Sequence, residues 1–483
     1  MRLIILATGI LVLLASPLLQ AEPNSQEINT HNTSAHNLEV ATISTQNLKD
    51  IYTLALQHDP TWAAARYSNT GAQEKLVQGK ALLLPTININ SSVNHSDTSI
   101  QYTGASVFRN NNQSDRFDTL SYGINVNQPL YRKQNRVQYQ ASFLQVNAAD
   151  MQLQQEHQDL IMKVAQAYFE VLLAQDKLAL NQAQKAAIGS QLAQAKANFN
   201  AGVSTITDVD EAQAKFDVVQ SQEIAANIEI ENKKQAVQLL TGQYPAAFYC
   251  VQAQIVLKMP ALAGSATDQA NAKLEDWLQQ AQQNNISIHL KKLDYELASK
   301  VVELNQAGHL PTLDAVANYT TTNANGGING FGSDLNNATI GLQLQIPLYQ
   351  GGAVSSKVRE AVANQQKAQE EIEVASRKTE LDTKQAYLDI SSNIAQAKAN
   401  KQSLHSAQSQ LASTSKSFKL GIRTNVDVLN AQQQVFTAKR ESLQTHYNYL
   451  LGLLKLKYAS GLLHDQDLEE INQYLVTADA SND

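Results

Sequence analysis

Two stretches of about 70 residues, Tyr131 to Phe199 and Gln350 to Lys419, contain no proline and repeat small or apolar residues at alternating steps of four and three. In the first, Val137, Ala141, Leu144, Ala148 and Met151 mark the seam; in the second, Leu404, Ala407, Leu411, Thr414 and Phe418 do so. Each reads as one continuous coiled-coil helix, about 100 Å long at 1.5 Å per residue. A rod of that length extends beyond any single globular core and must lie along other helices.

The two stretches belong to an internal duplication. Each ends at a glycine followed at once by a second helical pattern: Ala201-Gly202-Val203-Ser204-Thr205-Ile206-Thr207-Asp208-Val209 in the first copy, Leu420-Gly421-Ile422-Arg423-Thr424-Asn425-Val426-Asp427-Val428 in the second. The second helices carry Val209, Phe216, Ile230 and Val237, and Leu429, Phe436, Leu443 and Leu450, at multiples of seven. Two short helical patterns precede each copy, Leu48 to Gln57 with Thr61 to Leu83, and Lys273 to Gln283 with Ile286 to Ala307. The lengths of Thr61 to Leu83 and of the second helix, Thr207 to Leu240, add up to nearly that of the long helix, which predicts that these two shorter helices stack end to end beside it. The expected plan is a first repeat over 47–242, a Pro- and Gly-bearing linker over 243–272, a second repeat over 273–460, and a closing segment over 461–483.

Between the short and long helices the period changes to two. Ile87, Ile89 and Val93 alternate with Asn88, Asn90 and Asn94; Leu120, Tyr122, Ile124 and Val126 alternate with Ser121, Gly123, Asn125 and Asn127. The second repeat does the same with Leu313, Ala315, Ala317 and Tyr319, then with Ile340, Leu342, Leu344 and Ile346. Strands are expected at about 86–94, 119–128, 312–321 and 338–346, each of about ten residues, the length that crosses a bilayer as a tilted barrel strand. The long polar loop from His95 to Arg116 and the Gly326-Gly327 loop would face the surface. A soluble antiparallel sheet has the same alternation, but the shared punctuation Pro129-Leu130-Tyr131 and Pro347-Leu348-Tyr349 favours the membrane reading. Four strands cannot close a barrel, and open edges in lipid cost several kcal/mol per unpaired group. Two, three or four copies would close eight, twelve or sixteen strands, and periodicity does not choose among them.

The N-terminus, Arg2 followed by an apolar run from Leu3 to Ala15 and small residues to Ala21, reads as a secretory signal peptide over 1–21 rather than a retained anchor. Residues 22–46 are rich in Asn, Thr and Ser and are expected to be disordered. Cys250 is the sole cysteine, so no intramolecular disulfide is available. A net charge of −7 gives no basic footprint for nucleic acid. There is no His-Glu-x-x-His, no Gly-x-Ser-x-Gly and no phosphate loop, so no catalytic residue, metal site or cofactor is expected, and His157 and His289 read as solvated helix positions.

On spacing alone, Gly202 and Gly421 are helix-ending glycines, and Thr205 with Asp208, like Thr424 with Asp427, are capping boxes. Capping leaves Arg423 unexplained, since Ser204 stands in its place in the first repeat. The stretches Gly308-His309-Leu310-Pro311-Thr312-Leu313-Asp314, Ile206-Thr207-Asp208-Val209, Val426-Asp427-Val428-Leu429 and Tyr447-Asn448-Tyr449-Leu450 carry a resemblance to the outer membrane factor family of TolC-like channels, which serve bacterial efflux pumps and type I secretion systems. The resemblance spans roughly Leu48 to Leu468.

It implies a mainly α protein with membrane β, whose homotrimer forms a 12-stranded barrel continuous with an α-helical tunnel and girdled by a belt that includes 243–268 and the C-terminal segment. It implies an exit duct in the outer membrane of a Gram-negative bacterium, reaching far into the periplasm and opened at its periplasmic tips by an adaptor and an inner-membrane RND, ABC or MFS transporter. Asp427 falls on the family's constricting aspartate. Arg423 falls on the arginine that ties the inner coil to a neighbouring protomer, with Thr207 and Asp208 on its partners. Two departures stand out: Asn430 where the family has a second aspartate, and Phe418 where it has a tyrosine of the closing network. Ala201, Gly202 and Val203, with Leu420, Gly421 and Ile422, would be the adaptor-docking tips. Within the same envelope, a trimeric adhesin or receptor stalk is the competing reading.

Overall fold

A computed structural model of the protein describes residues 45–100, 113–245, 247–251, 257–260, 273–327 and 331–476. The expected signal peptide and most of the expected disordered segment lie outside the described residues, as do much of the linker and the last seven residues. Thr45–Gln46, the end of the segment expected to be disordered, instead forms strand β1. It pairs in parallel with β4 (Ala247–Phe248), and the Gln46 carbonyl accepts from Tyr249 N at 3.3 Å. Periodicity cannot reveal a strand this short, whose partner lies so far along the chain.

The helices come in matched sets. The first repeat has α1 (Leu48–His58), α2 (Pro60–Ala81), α3 (Lys133–Asn200) and α4 (Ile206–Thr241). The second has α5 (Leu274–Asn284), α6 (Ile286–Gln306), α7 (Ala353–Lys419) and α8 (Asn425–Ala459). α2 and α4 both pack on α3, and α6 and α8 both pack on α7. The end of α4 reaches the end of α1: a Cβ on Gly242 would sit 3.6 Å from His58 Cβ, just before Pro60 starts α2. In the second repeat Asn285 makes the same junction. Its Oδ1 accepts from Ser287 N at 3.0 Å to cap α6, and its Nδ2 donates to the Ala459 carbonyl at the end of α8 at 2.9 Å. No helix among the described residues is long and apolar enough to cross a membrane.

The strands are longer than their alternation predicts: β2 (Thr86–Ile100), β3 (Gln113–Tyr131), β6 (Thr312–Ala324) and β7 (Ser333–Gln345). They form one antiparallel sheet in the order β2-β3-β6-β7. Register sets Ile87 against Val126, Ile89 against Ile124, and Val93 against Leu120; Ile124 in turn faces Tyr319, and Ala317 faces Ile340. One face is therefore mainly apolar, interrupted by the row Ser91, Tyr122, Thr321 and Asn336, and it is largely exposed, Ile340 to 89%. The opposite face carries Asn88 against Asn125, Ser92 against Ser121, and Asn125 against Asn318. Beyond the apolar pairs the hairpin continues on polar ones, His95 Nδ1 to Asp118 Oδ1 at 2.7 Å and Arg116 Nε to Asp97 Oδ2 at 2.9 Å. These residues, expected in a loop, are strand because a ladder already in register extends at little entropic cost, whatever its hydropathy.

The main core lies midway along the long helices. Trp277, Tyr168, Phe169, Tyr449, Leu48 and Leu450 are fully buried there. The short pair β5 (Cys250–Val251) and β8 (Leu475–Val476) and helix α9 (Asp465–Asn472) complete this belt. His157 is not the solvated position expected: its Nε2 lies 2.6 Å from Tyr52 Oη and 3.3 Å from Asp465 Oδ1, joining α3 to α1 and α9. His289 is half-buried, with Nε2 2.7 Å from the Gln283 carbonyl.

Candidate gate at the two helical turns

Both glycine turns have the same hydrogen-bond pattern. Gly202 adopts φ +73° and Gly421 φ +74°, conformations that an L side chain resists. Gly202 N donates to the Phe199 carbonyl and Val203 N to the Asn198 carbonyl, both at 2.9 Å; Gly421 N and Ile422 N donate to the Phe418 and Ser417 carbonyls at the same distance. These paired bonds close the C-termini of α3 and α7 as Schellman motifs. Ala201 is the C-cap of α3 and Leu420 that of α7. Val203, Leu420 and Ile422 are largely exposed apolar side chains.

Each turn then starts the next helix with a capping box. Asp208 Oδ2 accepts from Thr205 N at 3.1 Å, and Asp427 Oδ2 accepts from Thr424 N at 3.0 Å, while each threonine hydroxyl receives the aspartate's own N–H. The Asp427 carboxylate is thus spent partly on backbone. The Thr424 N–H first, then the Thr424 hydroxyl, and Arg423 last, hold its pKa below the usual carboxylate range, so it stays ionised in mild acid.

The two turns lie side by side in one chain. Asp208, Ser204 and Val203 from the first, and Arg423, Phe418 and Asn425 from the second, line a single cleft. Arg423 Nη1 lies 3.9 Å from Asp427 Oδ1, an exposed i,i+4 pair. Thr207 is exposed beside Asp208. Asn430, one turn beyond Asp427, is exposed in a groove between α4 and α8, with Lys215, Gln433 and Arg440 along its walls. Asp427 and Asn430 therefore fall on one side of the first turns of α8, as i,i+3 residues must.

One residue here escapes a reading by pattern. Asn425, the first residue of α8, is only 4% exposed, and neither its Nδ2 nor its Oδ1 has a hydrogen-bond partner. In the sequence it is one polar residue among many near a turn. Its spacing of four from Leu429 was the available signal that it shares a buried face.

The outer membrane efflux protein family profile matches the chain twice, over residues 51–243 and 277–462. Outer membrane protein TolC of Vibrio cholerae is 33% identical over 435 residues, covering 90% of this chain and 94% of that protein. The proteases secretion protein PrtF of Dickeya chrysanthemi is 29% identical over 435 residues, covering 90% and 92%. Among solved structures, the Campylobacter jejuni CmeC outer membrane channel superposes with a TM-score of 0.72 at 16% identity, covering 94% of this chain and 99% of that one.

Proposed function

The chain belongs to the outer membrane efflux protein family, an outer-membrane exit duct for efflux or type I secretion rather than an enzyme, and from that we propose that three copies close one twelve-stranded barrel above a single helical tunnel gated at its lower end. The observation that carries this reading is the four-stranded sheet, mainly apolar and largely exposed on one face, polar on the other, with β2 and β7 each presenting an outer edge. Lipid requires those edges to be paired, and β7 of one copy against β2 of the next pairs them all. The polar face then lines a wet lumen that continues between helices of about 100 Å.

The gate is a ring of three Asp427 carboxylates, with Asn430 one turn above. A carboxylate ring at a narrow mouth favours cations over anions. Arg423 reaches the turn of a neighbouring copy at Thr207 and Asp208, and Phe418 lacks the hydroxyl that would add a hydrogen bond of about 1 kcal/mol to the closed state. A periplasmic adaptor docks on Ala201 to Val203 and Leu420 to Ile422, and an inner-membrane RND, ABC or MFS transporter feeds the duct. Opening draws its energy from contacts that the adaptor makes better with the open tips.

Planar-bilayer recording on the purified protein tests the reading. A small cation-selective conductance is expected, with a detergent-corrected mass of three chains. A stalk or adhesin would give no conductance, and a mass of two or four chains would overturn the trimer. Loss of cation preference in Asp427→Ala is the expected signature of the ring, and an unchanged preference would remove Asp427 from the gate. Gly421→Trp is expected to spare assembly and abolish efflux; normal efflux would place the docking surface elsewhere.

A further inference from the structure

Among the described residues, ten buried side-chain nitrogen or oxygen atoms have no hydrogen-bond partner, and six of them are concentrated in one region: Gln184 Oε1, Gln191 Oε1, Ser204 Oγ, Gln432 Oε1 and both amide atoms of Asn425. This region is the seam between two helical hairpins, α3 with α4 and α7 with α8. Asn425, Leu429 and Gln432 share one face of α8 at steps of four and three. Leu429 on that face is buried in a cluster with Ile188, Leu192 and Ala195 of α3, and Gln184 and Gln191 alternate with these residues along α3. Ser204 belongs to the first turn and lines the same cleft as Asn425.

The upper part of the α3–α8 contact is built differently. There Tyr447 Oη donates to Asp176 Oδ2 at 2.6 Å and Tyr458 Oη to Asp159 Oδ1 at 2.7 Å, within the continuous core around Phe169 and Leu450. Near the tips, Lys215 Nζ donates to Gln433 Oε1 at 3.0 Å on the exposed flank, while the inward Oε1 atoms of Gln184, Gln191 and Gln432 and the Asn425 amide have no partner. A desolvated polar group without a partner penalises the packed state, and separating the two faces returns it to water.

We propose that Asn425, assisted by Ser204, Gln191 and Gln432, is a positioning residue for the gate: its buried, unpaired amide weakens the seam at the lower end, so the two hairpins part there while the belt stays packed. The inference rests on the reading of the turns as the entrance gate. It assigns the ease of opening to residues that touch neither the carboxylate ring nor the exposed tips.

Single-channel recording on the full chain tests it with Asn425→Leu, Gln432→Leu and Arg423→Ala. Leucine has the branching of asparagine and needs no partner, so Asn425→Leu should lower the open-to-closed ratio about tenfold, and Gln432→Leu should shift it the same way. Arg423→Ala should raise the ratio. If Arg423→Ala shifts the ratio and neither leucine variant does, the inference falls and the gate reading stands. If none of the three alters conductance, the gate reading falls, and amide hydrogen exchange in the first turns of α8 decides the seam. Slower exchange in Asn425→Leu than in the native protein would support the weak seam, and unchanged exchange would overturn it. A rise in melting temperature without a change in open probability is the signature of a merely structural role and also counts against it.

Discussion

The Arg132 guanidinium forks onto the buried Asp314 carboxylate, with Nε 2.8 Å from Oδ1 and Nη2 2.5 Å from Oδ2. Arg132 precedes α3 of the first repeat, and Asp314 lies near the start of β6 in the second. The pair therefore stitches the two repeats together where strands meet helices. A planar fork suits this site, because it fixes direction as well as distance.

Removing the arginine leaves a carboxylate that is 7% exposed without its counter-ion. Arg132→Ala should destabilise the protein by about 3 kcal/mol, read as a lower urea midpoint. Adding Asp314→Asn should recover part of the loss, since a neutral amide tolerates burial better than an unpaired charge.

Four glycines, Gly202, Gly242, Gly421 and Gly461, end long helices with positive φ, but their surroundings differ. At Gly202 and Gly421 an added Cβ meets nothing, so alanine there should cost about 1 kcal/mol, the left-handed penalty alone. At Gly461, φ +73°, the same Cβ would overlap the Asn284 carbonyl at the α5–α6 junction. Gly461→Ala should fail to accumulate folded protein under conditions in which Gly202→Ala and Gly421→Ala do, as judged by protease resistance.

Burial raises the pKa of Asp176, and the Tyr447 hydroxyl only partly opposes it. A carboxyl whose folded pKa exceeds its unfolded value binds more protons folded, so its contribution to stability falls as pH rises from the unfolded pKa through the folded one. Asp176→Asn should therefore be more stabilising at pH 7 than at pH 4 relative to the native protein. Chemical denaturation at the two pH values measures this difference.

The low pKa of Asp427 depends first on the Thr424 N–H and next on the Thr424 hydroxyl, and alanine at 424 removes only the hydroxyl. Its ionised form, and the cap that form makes, persist above the unfolded pKa and are lost as pH falls through the depressed folded value. Thr424→Ala should move the acid loss of cation selectivity to higher pH. An unchanged titration of reversal potential would show that the carboxylate at the mouth is not Asp427.

Asn430→Asp would add a second carboxylate one turn from Asp427 and double the ring charge from three to six in a trimer. The cation-to-anion permeability ratio should rise, and most strongly at low ionic strength, where screening is weakest.

Much of the fold was legible along the chain. Proline-free runs set the long helices, and Gly202 and Gly421 with Thr205 and Thr424 marked where one helix stops and the next starts. The strands were legible only where one face is apolar: Ile87 to Val93 alternated visibly, whereas His95, Asp97 and Arg116 continue the same ladder with no hydropathy signal. The candidate gate was partly legible. Asp427 was visible as a capping residue, which the structure bears out, and its place in a constriction rests on the family resemblance. Asn425 was not, because a buried asparagine without a partner looks in sequence like an exposed one.

By itself, then, the sequence determined the local matters: helix lengths, the duplicated order of elements, the glycine turns and the apolar side of each strand. These follow from backbone conformational preference and from periods of 3.6 and 2, which neighbouring residues specify. Only the tertiary structure decided which polar groups are paired. Arg132 reaches Asp314, Tyr447 reaches Asp176 and His157 reaches Tyr52 across large sequence separations, while the Asn425 amide reaches nothing. Which helix faces meet decides this, and desolvation makes each such contact either strongly favourable or costly.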